Sequence, residues 1–347
     1  MKKIIVILAL FTVLIACENQ KNDFPDFDYT AAYFPYQYPV RTLVLGDYIY
    51  DNANDNAHKF LISAGFGGVY QNKTDRVINV EIFNPLCDSV RFKTAITDTI
   101  RVLPPSYYTL SSPDRIVIPA GKFNGNIEVQ LADAFFNDTM AYRYCYVLPM
   151  RIVGSADVDS ILRGKTTRTL PADPRNPLHW TIVPKDFTMF AIKFMNAYHG
   201  KYLHRGRSIV SQGVTAVDTT VYRQRYNVDD EIWTLRTSGK NQVTVQGNVK
   251  NSEAQMSGTF KMLLNFADNG TCTVVQARGS AFTMTGTGKF TSGVDTWGGK
   301  PRDAIHLNYS FTNGGYTYNA TDTLVIRDRD VRLETFTTTI YDVKFNE

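Results

Sequence analysis

Alternation of apolar and polar residues constrains the fold of this chain more than any other feature of its sequence. In residues 76–83, Ile78, Val80 and Ile82 alternate with other residues, and residues 125–131 repeat the pattern. Successive side chains of a β-strand point to opposite faces, so each run buries one face and exposes the other. The chain also has seven Glu against 26 Asp, and Asp favours turns whereas Glu favours helices. The sequence therefore predicts a mostly-β protein.

The strand-like runs fall into two groups. At 347 residues the chain is long enough for two domains of roughly 150 residues each. Residues 29–163 contain about seven such runs, which predict an antiparallel sandwich. Residues 164–179 carry three prolines spaced three apart, a pattern that favours a stiff, extended linker. Residues 180–347 contain eight or more consecutive runs joined by short turns, which predict an up-and-down β-barrel.

Residues 1–17 have the pattern of a secretory signal. Two lysines precede a thirteen-residue apolar run, which is shorter than the about 20 residues needed to span a bilayer. Residues 14–17 (LIAC) resemble the lipobox of bacterial lipoproteins, in which the cysteine, here Cys17, is acylated and becomes the new N-terminus. An ordinary signal peptide with an incidental cysteine is the alternative. We expect a lipid-anchored protein outside the cytoplasm, with residues 18–28 as a tether.

Charge and composition narrow the classes of partner. Without the two signal-peptide lysines the chain has 35 basic and 33 acidic residues, a net charge of about +2, whereas nucleic-acid binding usually needs a strongly basic face. No apolar stretch after Cys17 approaches membrane-spanning length, so the lipid would be the only membrane anchor. Cys87 and Cys145 could form a disulfide; alternatively they and Cys272 are small buried residues.

Seven short segments carry a resemblance to a known kind of protein. The segments are residues 33–46 (YFPYQYPVRTLVLG), 67–73 (GGVYQNK), 118–121 (IPAG), 146–149 (YVLP), 183–186 (VPKD), 196–200 (NAYHG) and 297–303 (WGGKPRD). The first four resemble a domain of unknown function at the N-terminus of Bacteroidetes surface lipoproteins. The last three resemble the C-terminal domain of unknown function that accompanies it.

The resemblance implies a fold and a setting. It implies an immunoglobulin-like sandwich followed by a lipocalin-like barrel, in a lipoprotein encoded beside SusC/SusD-type glycan importers. Such a protein is held on the outer-membrane surface and binds glycans there. Residues 18–23 (ENQKND) carry only scattered acids, whereas surface-exported lipoproteins of this phylum carry a denser acidic run. Display on the outer face is expected, and a periplasmic location is the alternative.

The sequence carries no catalytic signature, because G-x-S-x-G, H-E-x-x-H and C-x-x-C are all absent. The densest acidic triplet, residues 229–231 (DDE), is either a solvated turn or a glycosidase dyad. His199 and His204 are five residues apart, so a strand would point them to opposite faces, which disfavours a zinc site. Residues 51–56 (DNANDN) form either an ordinary polar loop or a calcium loop. We expect no enzymatic activity and no cofactor, with calcium as the alternative.

Aromatic residues supply the candidate binding site. Sugars present flat C–H faces flanked by hydroxyls, so their sites pair an exposed ring with amides, carboxylates or arginine. Trp297 fits best, because two glycines and several charged residues follow it in a turn. The alternative for every ring is a half-buried core position. The candidate glycan-binding residues are Trp297, Trp233, Tyr198, Tyr202, Arg302 and Asp303.

Four functions remain open at this stage. The sequence favours a non-catalytic, lipid-anchored protein that binds a polysaccharide or host glycan next to a SusC/SusD-type importer. The first alternative is a glycoside hydrolase with dispersed carboxylates, and the second is a structural or docking subunit of the importer. A lipocalin-like pocket for an apolar ligand requires a barrel that is open and apolar inside.

Overall fold

The computed structural model describes residues 26–27, 29–93, 99–168, 171–252 and 256–341. Within them the chain is mostly β, with packed sheets in the first half and a closed antiparallel barrel in the second, which confirms the predicted fold class. The signal at 1–17, Cys17 and most of the tether at 18–28 lie outside the described residues. No helix among the described residues is long and apolar enough to cross a membrane.

The first half consists of short strands with two one-turn helices. The strands are β1 (Ala31–Tyr33), β2 (Pro39–Val44), β3 (Lys59–Gly67), β4 (Arg76–Ile82), β5 (Val90–Phe92), β6 (Arg101–Val102), β7 (Tyr108–Leu110), β8 (Arg115–Ile118), β9 (Asn124–Leu131), β10 (Tyr146–Gly154), β11 (Ser160–Ile161) and β12 (Phe187–Met195). The helices are α1 (Ala53–Asn56) and α2 (Asp133–Asn137), and further single turns are 3-10 helices at Asn84–Cys87, Pro105–Tyr107, Pro177–His179 and Asn227–Asp229.

The second half consists of long strands. They are β13 (Gly200–Gln212), β14 (Thr215–Tyr222), β15 (Glu231–Gly239), β16 (Gln242–Asn248), β17 (Thr259–Phe266), β18 (Thr271–Gln276), β19 (Met284–Trp297), β20 (Lys300–Asn313) and β21 (Tyr316–Asp328). Two short strands follow, β22 (Glu334–Thr335) and β23 (Thr338–Ile340).

Two sheets pack face to face in the first half. One has the strand order β11-β1-β3-β9-β7, and the other has the order β22-β2-β12-β10-β4-β8, with β6 beside β10. Ile78 and Val80 of β4 and Ile127 and Val129 of β9 are buried in the core between the sheets, as the alternating runs predict. Burial of such side chains removes apolar surface from water and holds the two layers together.

The chain enters the barrel later than the predicted boundary at 164–179. Strand β12, which follows the proline-rich stretch, lies in the seven-stranded sheet between β2 and β10. The stretch itself is docked on the sandwich. Arg175 forms a buried ion pair with Asp173 at 2.7 Å and donates to the carbonyl of Leu86 at 3.2 Å. Residues 187–195 therefore complete the sandwich, although sequence spacing groups them with the 180–347 domain.

The C-terminal run returns to the sandwich. Strand β22 pairs with β2, with Thr335 opposite Pro39, and β23 pairs with β5. The last barrel strand, β21, already pairs with β13 over most of its length, so the segment after it continues outside the ring. The two halves are thus joined by two crossings of the chain, one before the barrel and one after it.

The barrel is closed and filled. Strands β13 and β15 to β21 form an eight-stranded antiparallel ring, and β14 pairs with the second half of β13. Gly270 and Gly314 have positive φ in the turns of the hairpins predicted at 268–270 and 313–315. The interior holds a packed aromatic core that includes Tyr202, Trp233, Phe260, Phe311 and Tyr318. This packing disfavours a lipocalin-like pocket for an apolar ligand.

The cysteines after Cys17 are structural. Cys87, Cys145 and Cys272 are buried, and no disulfide joins any of them within the described part of the chain. Burial raises the pKa of the Cys87 thiol to about 12, so this thiol stays protonated and inert at neutral pH.

Candidate functional site

Arg329 joins the barrel to the sandwich. It follows β21 directly and is buried. Its Nε donates to the carbonyl of His199 at 2.7 Å, and the two terminal nitrogens donate to the carbonyls of Asp47 at 2.7 Å, Leu45 at 2.9 Å and Asn196 at 2.7 Å. Hydrogen bonds from an ionised donor are stronger than neutral ones, so the loop after β2 is held firmly against the end of the barrel.

A groove of about 930 Å³ lies at this junction. One wall is the sandwich loop at 47–49. The others are the start of β13 at Lys201 and Tyr202, the β19–β20 hairpin, and residues 326–332 after the barrel closes. We call this space the junction groove. Its volume is in the range of small-ligand sites in proteins.

The sandwich wall of the groove carries exposed aromatic residues. Tyr48 and Ile49 line the groove. Tyr50 is 68% exposed, and its ring lies edge-to-face with that of Tyr48 at 5.4 Å. Such exposed apolar side chains on an otherwise well-buried protein mark interaction sites. The sequence signal was a Tyr-Ile-Tyr segment between a glycine and a polar turn, and the candidates drawn from the sequence omitted it.

The polar run at 51–56 supports this aromatic loop. Asn52 Nδ2 donates to the carbonyls of Val44 and Gly46, each at 2.7 Å. Asp55 is buried, pairs with Arg41 and accepts from the Val44 N–H at 2.9 Å. Both carboxylate oxygens of Asp55 are thus engaged with protein donors, which favours the ordinary polar loop over the calcium loop. No cluster of three or more metal-ligating side chains occurs in the residues that the structure describes.

Trp297 lies at the tip of the β19–β20 hairpin, beside the groove. Its Nε1 donates to the carbonyl of Ile326 at 2.9 Å, and its ring packs against Leu203 and Val325 on the outer face of the barrel. The guanidinium carbon of Arg302 lies 4.2 Å from the ring centroid. One face of the indole is therefore covered by arginine, and Arg302, which lines the groove, is the hairpin's contribution to the site.

Asp303 shapes the hairpin. Its Oδ1 accepts from the Ser292 hydroxyl at 2.7 Å and from the Gly293 N–H at 2.9 Å. Between Thr291 and Asp295 the pairing of β19 with β20 shifts register. The carboxylate thus holds the irregular backbone that turns the hairpin tip, and it lines the groove from there.

Positive charge exceeds negative charge around the groove. Six Lys or Arg residues and four Asp residues line it. Asp330 is shared by Lys201 at 2.8 Å and Arg332 at 3.4 Å. Burial would raise the pKa of Asp330, but the hydrogen bond and charge of Lys201 outweigh it and hold this pKa below the usual value. Asp330 is therefore ionised at neutral pH and balances only part of the local positive charge.

The tyrosine candidates are core residues. Tyr202 lines the groove, but its ring is almost completely buried and its hydroxyl donates to the carbonyl of Tyr198 at 3.0 Å. Tyr198 stacks on Phe266 with ring centroids 3.7 Å apart. The Tyr202 ring is enclosed, and Phe266 covers one face of the half-buried Tyr198 ring, so the structure favours the core reading of these two residues.

Trp233 is a core residue too, and it lies away from the junction groove. It is 3% exposed and stacks on His204 inside the barrel with centroids 3.7 Å apart. Gly247 leaves room for it, because a Cβ there would lie 2.7 Å from Trp233 Cζ2. The structure therefore brings Arg302, Asp303 and Tyr202 together at one groove with Trp297 beside it, and it places Trp233 elsewhere.

An ionic network crosses the barrel interior next to Trp233. His204 Nδ1 lies 3.0 Å from Glu231, and Nε2 lies 3.0 Å from Asp322, although the second contact lacks hydrogen-bond geometry. Tyr309 donates to Asp322 at 2.9 Å. Burial would lower the pKa of His204, but contacts with Asp322 and Glu231 outweigh it and raise this pKa. The hydrogen bond from His204 lowers the pKa of Glu231 to about 2, against the opposing effect of burial.

Two residues of the acidic triplet at 229–231 form ion pairs with nearby cations. Asp230 is buried and accepts from Arg205 Nε at 2.7 Å and from the Gln224 N–H at 2.7 Å. Glu231 contacts Lys250 at 3.1 Å as well as His204. Two of the three carboxylates thus stabilise the protein, an arrangement that differs from the open pair of carboxylates that glycoside hydrolysis uses.

Comparisons with known proteins agree with the two-part architecture. Residues 197–330 match the family model "Domain of unknown function (DUF5627)", and residues 27–159 match a family described as an N-terminal domain. These two matches confirm the resemblance to an N-terminal domain and an accompanying C-terminal domain of unknown function. No curated protein matches the chain.

Solved structures from Bacteroides also match. A Bacteroides ovatus protein of unknown function shares 34% identity with a TM-score of 0.83, covering 91% of this chain and 100% of that one. A second Bacteroides ovatus protein of unknown function shares 15% identity with a TM-score of 0.42, over 88% and 100% of the chains. A Bacteroides thetaiotaomicron structure called an auxiliary nutrient binding protein shares 13% identity with a TM-score of 0.36, over 83% and 90%. The last two are too dissimilar to support an inference.

The first of these matches extends over almost the whole of both chains at 34% identity, with the same overall fold. This protein therefore belongs to the same family as that Bacteroides ovatus protein.

Proposed function

We propose that this protein is a non-catalytic, lipid-anchored surface protein that binds a glycan in the junction groove. The observation that carries the proposal is the pairing of an exposed aromatic loop, Tyr48 to Tyr50, with a charged hairpin across one groove. Aromatic rings bind the C–H faces of sugars, while arginine and carboxylate groups bind the hydroxyls.

The fixed geometry of the groove supports binding. Arg329 ties the aromatic loop to the barrel through Leu45 and Asp47. Gly46 approaches the barrel so closely that a Cβ would lie 2.6 Å from the Cβ of Ala197. A site that is rigid before the ligand arrives loses less conformational entropy on binding.

Two arguments favour binding over catalysis. Asp230, Glu231 and Asp322 are the most concentrated carboxylates near the barrel wall, and all three are bonded to protein donors. In the junction groove, Asp303 and Asp330 are likewise engaged by protein groups. A hydrolase would need a proton donor and a second carboxylate free to act on the substrate.

The proposed lipid anchor explains how a protein that only binds glycan could assist import. Acylation at Cys17 would hold the groove at the outer membrane, and the tether at 18–28 would let it reach glycan near a SusC/SusD-type importer. Linking a binding site to a surface raises the effective concentration of its ligand there. This part of the proposal is supported by the lipobox and by the family resemblance of the sequence.

The proposal is tested with the soluble chain starting at residue 18. A glycan array, followed by affinity electrophoresis on the polysaccharides that score, should show retardation by at least one glycan. The same mixtures should release no reducing ends. Release of reducing ends that disappears on a single Asp or Glu substitution would make the protein a glycoside hydrolase instead.

A docking subunit is the second candidate, favoured by one surface of the sandwich. Tyr36 and Val183 line an apolar cleft of about 330 Å³, and Leu178 and Ile182 nearby are largely exposed. Apolar surface of this kind marks protein interfaces. Recovery of an outer-membrane complex in pull-downs, without retardation by any glycan, would favour this function.

A further inference from the structure

We propose that the glycan bound in the junction groove is anionic, and that Arg302 binds its carboxylate or sulfate group. This inference rests on the proposed function and names its substrate class. Three observations support it. Arg302 lies over the ring of Trp297, most of the nearby carboxylates are engaged by protein groups, and a second cation, Lys300, lies on the same strand.

Arg302 is held in place without being neutralised. Its guanidinium lies over the indole of Trp297 at 4.2 Å, and its Nε approaches the carbonyl of Trp297 at 3.4 Å. Trp297 is itself fixed by its hydrogen bond to Ile326. A guanidinium that stacks through its face keeps its edge donors available, and that planar fork matches the two oxygens of a carboxylate or sulfate.

Three of the four aspartates that line the groove have their carboxylates next to protein donors or cations. Asp330 is shared by two cations, and Asp328 lies 3.8 Å from Arg327. Asp303 accepts from Ser292 and Gly293 of its own hairpin. Among the described residues, no carboxylate lies within ion-pair distance of Arg302, whose contacts are with Trp297.

A second cation lies beside Arg302. Lys300 is exposed, lines the groove and is two residues before Arg302 on β20, so both side chains leave the same face of the strand. In the described part of the chain neither cation forms an ion pair, although Asp295 is paired with Arg302 across the two strands. The two charges create a positive potential at one end of the groove. Hydroxyl groups of a neutral sugar would not neutralise this charge, whereas a uronate or a sulfate ester would.

The assignment predicts how binding depends on ligand charge. Calorimetric titration would compare an oligogalacturonate with its methyl ester, which has the same sugars without the charge, and a sulfated galactan oligosaccharide with its desulfated form. We expect at least one anionic member to bind about tenfold or more tightly than its neutral counterpart, with affinity falling as salt is raised. Preference within the uronate pair or the sulfate pair identifies the source of the charge.

Three variants locate the effect. Arg302→Gln should weaken binding of the anionic ligand about tenfold and binding of the neutral one by much less, because only the anionic ligand loses a charge contact. Arg302→Lys should recover only part of the loss, because lysine lacks the fork. Arg115→Gln is the matched control and should bind as the parent does, since Arg115 is an exposed arginine of the sandwich that lies beside Asp114 and does not line the groove. Melting temperatures within about 2 °C of the parent would show that the variants fold.

The outcomes separate the two proposals. Equal affinity for charged and neutral members of both pairs, or an Arg302→Gln variant that binds the anionic ligand as the parent does, overturns the anionic assignment and leaves glycan binding standing. Absence of binding to any glycan overturns both.

Discussion

Arg329 of the barrel donates a 2.7 Å hydrogen bond to the backbone carbonyl of Asp47 in the sandwich. Three further carbonyls, those of His199, Leu45 and Asn196, accept from the same guanidinium. The relationship ties the aromatic loop at 48–50 to the domain that supplies the charged hairpin. The shape of the junction groove therefore depends on the buried side chain of Arg329. The aromatic surface of the groove comes from other residues.

Replacing Arg329 should cost stability and binding together. Arg329→Met keeps much of the side-chain volume but leaves four carbonyls without their donor, so we expect a loss of about 2–4 kcal/mol in the free energy of unfolding. Urea unfolding followed by tryptophan fluorescence measures it. Arg327→Met is the control, because its ion pair with Asp328 is exposed and should contribute less than about 1 kcal/mol. Equal effects of the two substitutions would contradict the role given to Arg329.

The same junction should weaken in acid. Burial, and then the charge of Arg329, lower the pKa of His199 to about 4, and its Nδ1 accepts from the Thr237 N–H at 3.0 Å. The unfolded state therefore binds a proton more readily, so stability is full above pH 6.5 and falls as the pH drops towards 4, by up to about 3 kcal/mol.

His199→Gln removes this titration while leaving an oxygen that can accept from Thr237. The difference in unfolding free energy between the parent and the variant, measured in urea from pH 7 to pH 4, should change across that window in favour of the variant. The carboxylates and His204 titrate in both proteins and cancel in the difference. A pH-independent difference would rule out His199 as the titrating group.

The ionic network inside the barrel should be costly to break. Asp322 contacts His204 and accepts from Tyr222 and Tyr309. Asp322→Asn leaves a charged imidazole facing a neutral amide, so we expect a loss of about 3–5 kcal/mol in unfolding free energy. Asp229→Asn, at an exposed position of the neighbouring turn, is the control and should change it by less than about 0.5 kcal/mol. A loss below about 1 kcal/mol for Asp322→Asn would mean that the network contributes little.

Close packing around Gly247 predicts that a larger side chain at this position destabilises the barrel. A Cβ at this position would lie 2.6 Å from Phe260 and 2.7 Å from Trp233. Gly247→Ala should therefore cost about 1–3 kcal/mol through overpacking and shift the fluorescence of Trp233. Gly67→Ala is the control, because a Cβ there meets nothing within 4 Å. Thermal unfolding of the two variants compares them, and matching melting temperatures would show that the barrel accommodates the methyl group.

The sequence predicts best what depends on neighbouring residues. Alternation places Ile78 and Val80 in the sandwich core, and turn glycines place the barrel hairpins, because both patterns are local. It misplaces β12, whose partner β2 lies about 150 residues earlier and pairs in parallel. A proline-rich stretch lies between these two strands. It docks on the sandwich through hydrogen bonds from Arg175 to the carbonyls of Leu86 and Asp88, which are distant in sequence.

The site was predicted in part for the same reason. The hairpin residues Arg302 and Asp303 do line the groove, since glycines and charges in a turn favour exposure. Trp297 lies beside the groove, and the sequence could not show that Arg302 would cover its ring. Tyr48 comes from the other domain, and only the fold brings it to the groove that the hairpin lines. Tyr50 packs edge-to-face against the ring of Tyr48.

The most direct test of glycan binding at the junction groove is a calorimetric titration of the double variant Tyr48→Ala/Tyr50→Ala with the best glycan from the array. Tyr36→Ala is the matched control, because Tyr36 is equally exposed but lies at the separate sandwich cleft. We predict that the double variant loses about 100-fold in affinity, from two ring contacts that each contribute about tenfold, while Tyr36→Ala binds as the parent does. Unchanged affinity in the double variant, with its melting temperature preserved, would contradict the central claim.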